Sequence, residues 1–396
     1  MLHSLALRAL QQHLLETRPY LINLQGYLTE YQANMWNILK IASAFIGIIV
    51  GAGFASGQEV LQYFTSFGYL GTAAAVVATA LFAYLGMMLT LLGSRTRTRS
   101  HKTVVYQISG RYIGVIVDYV IIFTLFGVGV VMIAGAGSTL NQQFGLAPFV
   151  GSVLMTLMMG ATLMLNVQRV VALIGSITPF LVLALVLICI YSLATMDRSF
   201  AELAPIAESV ESTLPHWLVS AVNYVSFNIA VGAAMSLVMG GAEKNENIAK
   251  WGGLFGGLGV GVLIMISHLA MFSQIDNIAG YALPLLKIID GISPWLAKGM
   301  AFVLFGMIFS TGASMFYAFV ARFVEMRTPA ATRFSLITLA VGFVASFAGF
   351  TQLVAFFYPL IGYLGLFLVG ALIFASFKLK RDARQPGMAQ AVRSTD

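Results

Sequence analysis

Residues 38–64 read ILKIASAFIGIIVGAGFASGQEVLQYF. The stretch is long and apolar enough to cross a hydrocarbon core of ~30 Å as a helix. Its centre resists that helix. Gly51, Gly53 and Gly57 fall within seven residues, and each glycine weakens a helix by ~1 kcal/mol relative to alanine. Unwound backbone in a bilayer must face protein, water or ligand, because lipid satisfies none of its N–H and C=O groups. Small residues also let helices pack closely. Here, however, the cluster runs straight into Ser56-Gly57-Gln58-Glu59, and a carboxylate within a span costs roughly 2.5 kcal/mol or more. The expectation is a helix broken around Gly51–Gly57, with an acid beside the break.

The rest of the chain agrees with a membrane setting. Of 396 residues, 59% are apolar and 9% charged, against about 25% charged in soluble domains. Mean hydropathy is +0.88. The apolar runs do not alternate as barrel strands would, so the fold class is all-α. The net charge of +7 is explained by basic cytoplasmic loops, and nucleic-acid binding is excluded. One cysteine, Cys189, allows no intrachain disulfide, and the five histidines form no HExxH pattern. No GxxxxGK[ST] loop offers direct ATP drive.

Ten spans are read at Ile38–Phe64, Tyr69–Leu92, Tyr112–Gly137, Phe149–Leu165, Val171–Leu193, Trp217–Met239, Trp251–Phe272, Trp295–Phe323, Phe334–Phe350 and Leu353–Phe377. A short amphipathic piece, Asp276–Ile289, precedes the eighth. With the N-terminus inside, 19 of the 22 basic residues fall on the cytoplasmic side, and only Arg198, Lys287 and Lys298 fall elsewhere. A missed span would scramble that partition, so both termini are expected in the cytoplasm of a bacterial-type inner membrane. Residues 1–34 read as an N-terminal cytoplasmic extension, either an amphipathic helix or a start-site artefact, since Met35 is a natural beginning. Residues 35–380 form the membrane domain and 381–396 a cytoplasmic tail.

Spans one to five (about 38–193) and six to ten (about 217–377) are nearly equal in length. Five is odd, so the second half enters from the opposite side. That is a 5+5 inverted repeat, a transporter architecture. The sixth span should then repeat the break of the first. It carries Asn223, Ser226 and Asn228 in mid-run. Interhelical hydrogen bonding is the alternative use for such residues, but their repeat position favours a second break at Ser226-Phe227-Asn228. The candidate substrate-binding residues are therefore Gly53, Phe54, Ala55, Ser56, Gly57, Ser226, Phe227 and Asn228. Gln58 and Glu59 are the candidate coupling pair. In the eighth span, Ser310, Thr311 and Ser314 offer hydroxyls to a hard cation such as Na+ or to their own helix carbonyls. Asp118, one turn-pair beyond Arg111, reads as a structural or gating ion-pair residue.

The strings IASAFIGIIVGAGFASGQEVLQYF and SFAGFTQLVAFFYPLIGYLGLFL together resemble the YkvI-type membrane proteins, grouped with amino-acid permeases of the amino acid–polyamine–organocation superfamily. The resemblance runs from about Trp36 to Lys380. It implies the LeuT fold, with helices one and six broken. It also implies a substrate carboxylate received by N–H groups around Phe54–Gly57, and a Na+ site joining the Val50–Gly53 carbonyls to Ser310, Thr311 or Ser314. Proton-coupled relatives place a lysine in the fifth helix; this chain has none there, which leans toward Na+, while Glu59 offers a proton site instead. No GSGIF-like string of the better-known permeases is present.

The expected function is secondary active uptake of a small solute, an amino acid or related zwitterion, by Na+ or H+ symport. A transporter-fold nutrient sensor is the alternative. No catalytic constellation is present, so no enzyme activity is expected. No organic cofactor is expected, and the expected partners are the lipid bilayer and the solute.

Overall fold

The computed structural model describes residues 32–97, 101–165, 178–326 and 328–384. Residues 1–31 of the expected extension, the start of the fifth span at Val171 and the tail beyond Arg384 lie outside the described residues. The first span is in pieces: α1 (32–49), α2 (Ala52–Ser56), α3 (Gln58–Tyr63) and a 3-10 turn, Thr65–Phe67. Then follow α4 (Tyr69–Thr96), α5 (His101–Phe144), α6 (Pro148–Leu165), α7 (Thr178–Ala194) and α8 (Phe200–Ser209). The second half comprises α9 (Trp217–Ala242), α10 (Glu246–Ser273), α11 (Ile275–Ile278), α12 (Pro284–Ile292), α13 (Pro294–Val320), α14 (Pro329–Ser346) and α15 (Phe350–Arg384).

Seven of these helices are long and apolar enough to cross a membrane, and Pro148–Met164 and Val182–Ala194 are shorter apolar helices. With the broken first span they fill the ten expected places in order. Helices at matching places in the two halves pack together: α4 on α10, α5 on α13, α6 on α14. That pairing agrees with two inverted repeats.

The α4–α10 contact shows how it is built. Gly253, Gly257 and Gly261 recur every fourth residue, so they share one face of α10. A Cβ on Gly253 would run into the Gly86 carbonyl, and one on Gly257 into the Phe82 carbonyl. Bare glycine faces let the two backbones touch, the packing mode that works where lipid removes any hydrophobic drive. Thr90 ties the contact by donating to the Ala249 carbonyl at 2.7 Å.

The structure departs from the sequence reading in three places. α9 is one continuous helix from Trp217 to Ala242, with no break at Ser226–Asn228. Its polar side chains are spent on packing. Asn223 donates to the Pro359 carbonyl at 3.0 Å, Ser226 to the Gly362 carbonyl at 2.6 Å, and Asn228 to the Tyr224 carbonyl of its own helix at 3.0 Å. The loop after the fifth span, read as merely polar, contains α8, which buries Leu203 and Ala207. The amphipathic piece before the eighth span is two helices, α11 and α12.

Asn223 also accepts from the Tyr63 hydroxyl at 3.3 Å, so it joins three helices. Asn223→Ala strips partners from two buried groups. It should lower stability by about 1–3 kcal/mol, the cost of leaving such groups unpaired. Thermal unfolding in detergent measures this; an unchanged midpoint would mean the bridge carries no stability.

Candidate functional site at the first-helix break

The break has two joints. Gly51 is extended (φ −92°, ψ −170°), and Gly57 is left-handed (φ 84°). Only glycine takes a positive φ routinely, which is why the chain turns at that residue. Ser56 braces the gap: its hydroxyl donates to the Gly53 carbonyl at 2.6 Å and accepts from the Gln58 N–H at 3.1 Å. Gly53, Phe54, Ala55 and Ser56 are all buried. The space a Cβ on Gly57 would need is filled by Leu285 of α12 and by Met271. Gly57 therefore seats protein, and not a ligand, in this conformation.

Glu59 is 5% exposed and lies in the first turn of α3. Its Oε2 accepts from the Tyr224 hydroxyl of α9 at 3.0 Å. Its Oε1 folds back against Gly53, in the place a Cβ would take, with the Tyr358 hydroxyl of α15 3.1 Å from that point. The missing side chain of Gly53 is thus what admits the carboxylate to the break. Aromatic rings surround it. Tyr63 and Tyr224 lie 5.1 Å apart between centroids, and Phe227 stacks on Tyr358 at 4.2 Å. The ion pairs among the described residues join Arg95 to Glu246, Arg198 to Asp276, Lys287 to Asp290 and Arg322 to Asp118. None involves Glu59.

Of the expected residues, the structure brings Gly53, Glu59 and Phe227 into one cluster. Ser226 faces α15 and Asn228 its own helix. Gln58 has a buried Oε1 with no partner among the described residues and lines a recess of about 870 Å³ with Gln62, Glu211, Thr213 and Gln352. The eighth-helix hydroxyls bond within their own helix. Ser310 donates to the Met307 carbonyl at 3.1 Å and Ser314 to the Ser310 carbonyl at 2.7 Å. They keep lone pairs, so with the Val50 and Gly53 carbonyls the donor set is chemically able to take Na+. The helices that carry its two halves, α13 and α2, pack on each other, while Ser314 is exposed. Asp118 pairs with Arg322 of the chain just after α13 at 3.3 Å, the ion-pair role expected of it.

Tyr63, Tyr224 and Tyr358 were not singled out by the sequence reading. The available signal was general: a buried tyrosine hydroxyl usually has a partner, and the only acid near mid-span needed a donor.

A broken first span, two halves packed mate on mate and a polar cluster at the break define the LeuT-type transporter fold. The chain superposes on MhsT in complex with L-phenylalanine with a TM-score of 0.56 at 16% identity, over 84% of this chain and 88% of MhsT. It matches inward-facing Mhp1 with a TM-score of 0.51 at 12% identity, over 83% of this chain and 73% of Mhp1. In sequence it is 26% identical over 338 residues to the uncharacterized membrane protein YkvI of Bacillus subtilis strain 168, covering 84% of this chain and 94% of YkvI. It is also 26% identical over 335 residues to the uncharacterized protein YyaD of the same strain, covering 85% of this chain and 96% of YyaD. No family model matches the chain.

Proposed function

We propose that this chain is a secondary active transporter that moves a small solute by alternating access, with Glu59 as its ionisable coupling group. The observation that carries the reading is a buried carboxylate set into the break of the first helix with no cationic partner among the described residues. An acid within a membrane span normally marks an ion or substrate path. The solute bears an ammonium group that this carboxylate can receive. Amino acids are the class implied by the YkvI-type resemblance and its superfamily. Coupling through Na+ at Val50, Gly53, Ser310, Thr311 and Ser314 is the second reading, favoured by the packing of α13 on α2.

The outer side is closed by light contacts suited to reopening. Gln62 donates to the Thr351 carbonyl at 3.3 Å and accepts from Thr213 at 3.2 Å. Gln142 and Leu283 exchange two hydrogen bonds of 2.9 Å. Each is worth about 1 kcal/mol, a scale that solute binding can overcome. Uptake into proteoliposomes under imposed gradients tests the reading. Uptake that collapses with a protonophore and fails in Glu59→Gln supports a proton on Glu59. Uptake that needs Na+ and survives in Glu59→Gln moves the coupling to the hydroxyl set. Solute binding with no uptake under either gradient would make the chain a sensor.

The orientation is part of the same proposal. Arg95 and Arg97 at the end of α4 meet Glu246 and the Glu243 and Lys244 carbonyls, so the basic loops gather at one end. Cys189 is buried and gives little labelling background. An impermeant thiol reagent outside the cell should label a cysteine at Glu208, which is exposed, and not one at Arg97. The opposite pattern would overturn the topology.

A further inference from the structure

Where α6 ends and α14 begins, the helices leave a recess of about 560 Å³. Its apolar lining comes from Leu163 and Met164 of α6 and Met326 of the loop before α14. Arg333 is the only charged residue among the described ones that line it. The Arg333 side chain is exposed and makes no hydrogen bond or ion pair among the described residues. Thr328 is spent on the loop: its hydroxyl donates to the Glu325 carbonyl at 2.8 Å and accepts from the Ala331 N–H at 3.2 Å. Tyr317 of α13 lines the recess with its hydroxyl uncommitted among the described residues. Arg333 sits in the second turn of a membrane-spanning helix, Pro329–Ser346, at the level where hydrocarbon gives way to headgroups. An unpaired guanidinium beside apolar surface at that level is the pattern that recruits an anionic headgroup.

Two exposed stripes start at the recess. On α14, Arg333, Ile337, Val341 and Val344 follow one another at helical spacing. On α6, Met164, Ala161, Leu157 and Leu154 do the same in the opposite direction. The stripes run side by side. Met164 and Arg333 line the same recess, and at the far end Phe149 of α6 stacks on Phe347, just after α14, with 6.2 Å between centroids. At 1.5 Å per residue, Arg333 to Val344 spans roughly 17 Å, close to half of a ~30 Å hydrocarbon core. The groove is therefore one leaflet deep, with its charge at the headgroup end.

From this we infer that the recess and the two stripes bind one anionic glycerophospholipid, with its phosphate on Arg333 and its acyl chains along α6 and α14. A lipid whose phosphate is the only headgroup charge fits the lining, because no carboxylate among the described residues lines the recess to receive a headgroup ammonium. The inference needs only the membrane-spanning fold and is independent of the transported solute. On the topology proposed above, the lipid belongs to the cytoplasmic leaflet.

The test uses the full chain in a maltoside detergent, titrated with phosphatidylglycerol, phosphatidylcholine or glycerol 3-phosphate. Native mass spectrometry counts what is bound. One phosphatidylglycerol should be retained per chain, about fivefold more tightly than phosphatidylcholine, the scale of one arginine at a membrane surface. Arg333→Gln should remove that preference, and Arg333→Lys should keep most of it. Arg198→Gln, which removes the same charge beyond the end of α7, should leave it unchanged. Ala161→Trp should weaken phosphatidylglycerol binding by filling the groove while leaving Arg333 in place. Phosphatidylglycerol held no more tightly than phosphatidylcholine, or held equally by Arg333→Gln, would overturn the inference. Wild-type binding by Ala161→Trp would overturn it as well, since the chains would then lie elsewhere. Glycerol 3-phosphate binding as tightly as the lipid would make the recess a site for soluble phosphate esters and not for lipid.

Discussion

Gly53→Ala is expected to abolish transport, by tenfold or more, while leaving a folded chain in the membrane. The added methyl would land on Glu59 Oε1, with the Glu59 carboxyl carbon 2.9 Å and the Tyr358 hydroxyl 3.1 Å away. The obstructing atoms belong to the end of a flexible side chain, so the backbone need not move and the carboxylate yields. The fold should lose about 1–3 kcal/mol, the usual cost of overpacking. What is lost in function is larger, because the carboxylate leaves the break and Tyr224 loses its acceptor. Uptake and thermal unfolding measured on the same preparation separate the two effects. If the site is one unit, adding Gly53→Ala to Glu59→Gln should cost little further transport, since residues in direct contact are not additive. A Gly53→Ala chain that transports at the wild-type rate would show that the position of the carboxylate is immaterial.

The first break was legible because glycine speaks about backbone directly. Gly51, Gly53 and Gly57 weaken a helix wherever they occur, and no partner need be known to see it. The sixth span was misread because amides and hydroxyls speak only about needing partners. Asn223 and Ser226 find theirs on α15, 136 residues away in the chain, and no local pattern separates that use from a break. Their backbone meanwhile keeps its helix. Glu59 was legible as a costly acid. Its setting was not, because Tyr224 comes from 165 residues further on and Tyr358 from another helix again. The ten spans could be counted because charge and hydropathy are summed over whole segments. Which side chains meet at the centre depends on helix rotation, and that is fixed by contacts such as the glycine face of α10 on α4.

Gly57→Leu carries the largest expected loss of stability, and the reason lies partly outside the first span. At φ 84° any L side chain is strained, which costs about 1–2 kcal/mol. Leucine would also collide with α12: a Cβ at this position meets Leu285 Cγ at 2.7 Å, the Leu285 backbone nitrogen at 3.0 Å and Met271 Sδ at 3.1 Å. Crowding of that kind adds about 1–3 kcal/mol, so the variant should be about 2–5 kcal/mol less stable. Gly47 supplies the contrast. It lies within α1, and a Cβ there meets nothing within 4 Å. Gly47→Ala should therefore leave stability unchanged or raise it by up to about 1 kcal/mol through helix propensity. Thermal unfolding of the two variants in one detergent should bracket the wild type, with Gly57→Leu far below. A Gly57→Leu chain as stable as the wild type would mean that α12 is not seated on the break. The closure proposed at Gln142 and Leu283, the residue just before α12, would then fall with it.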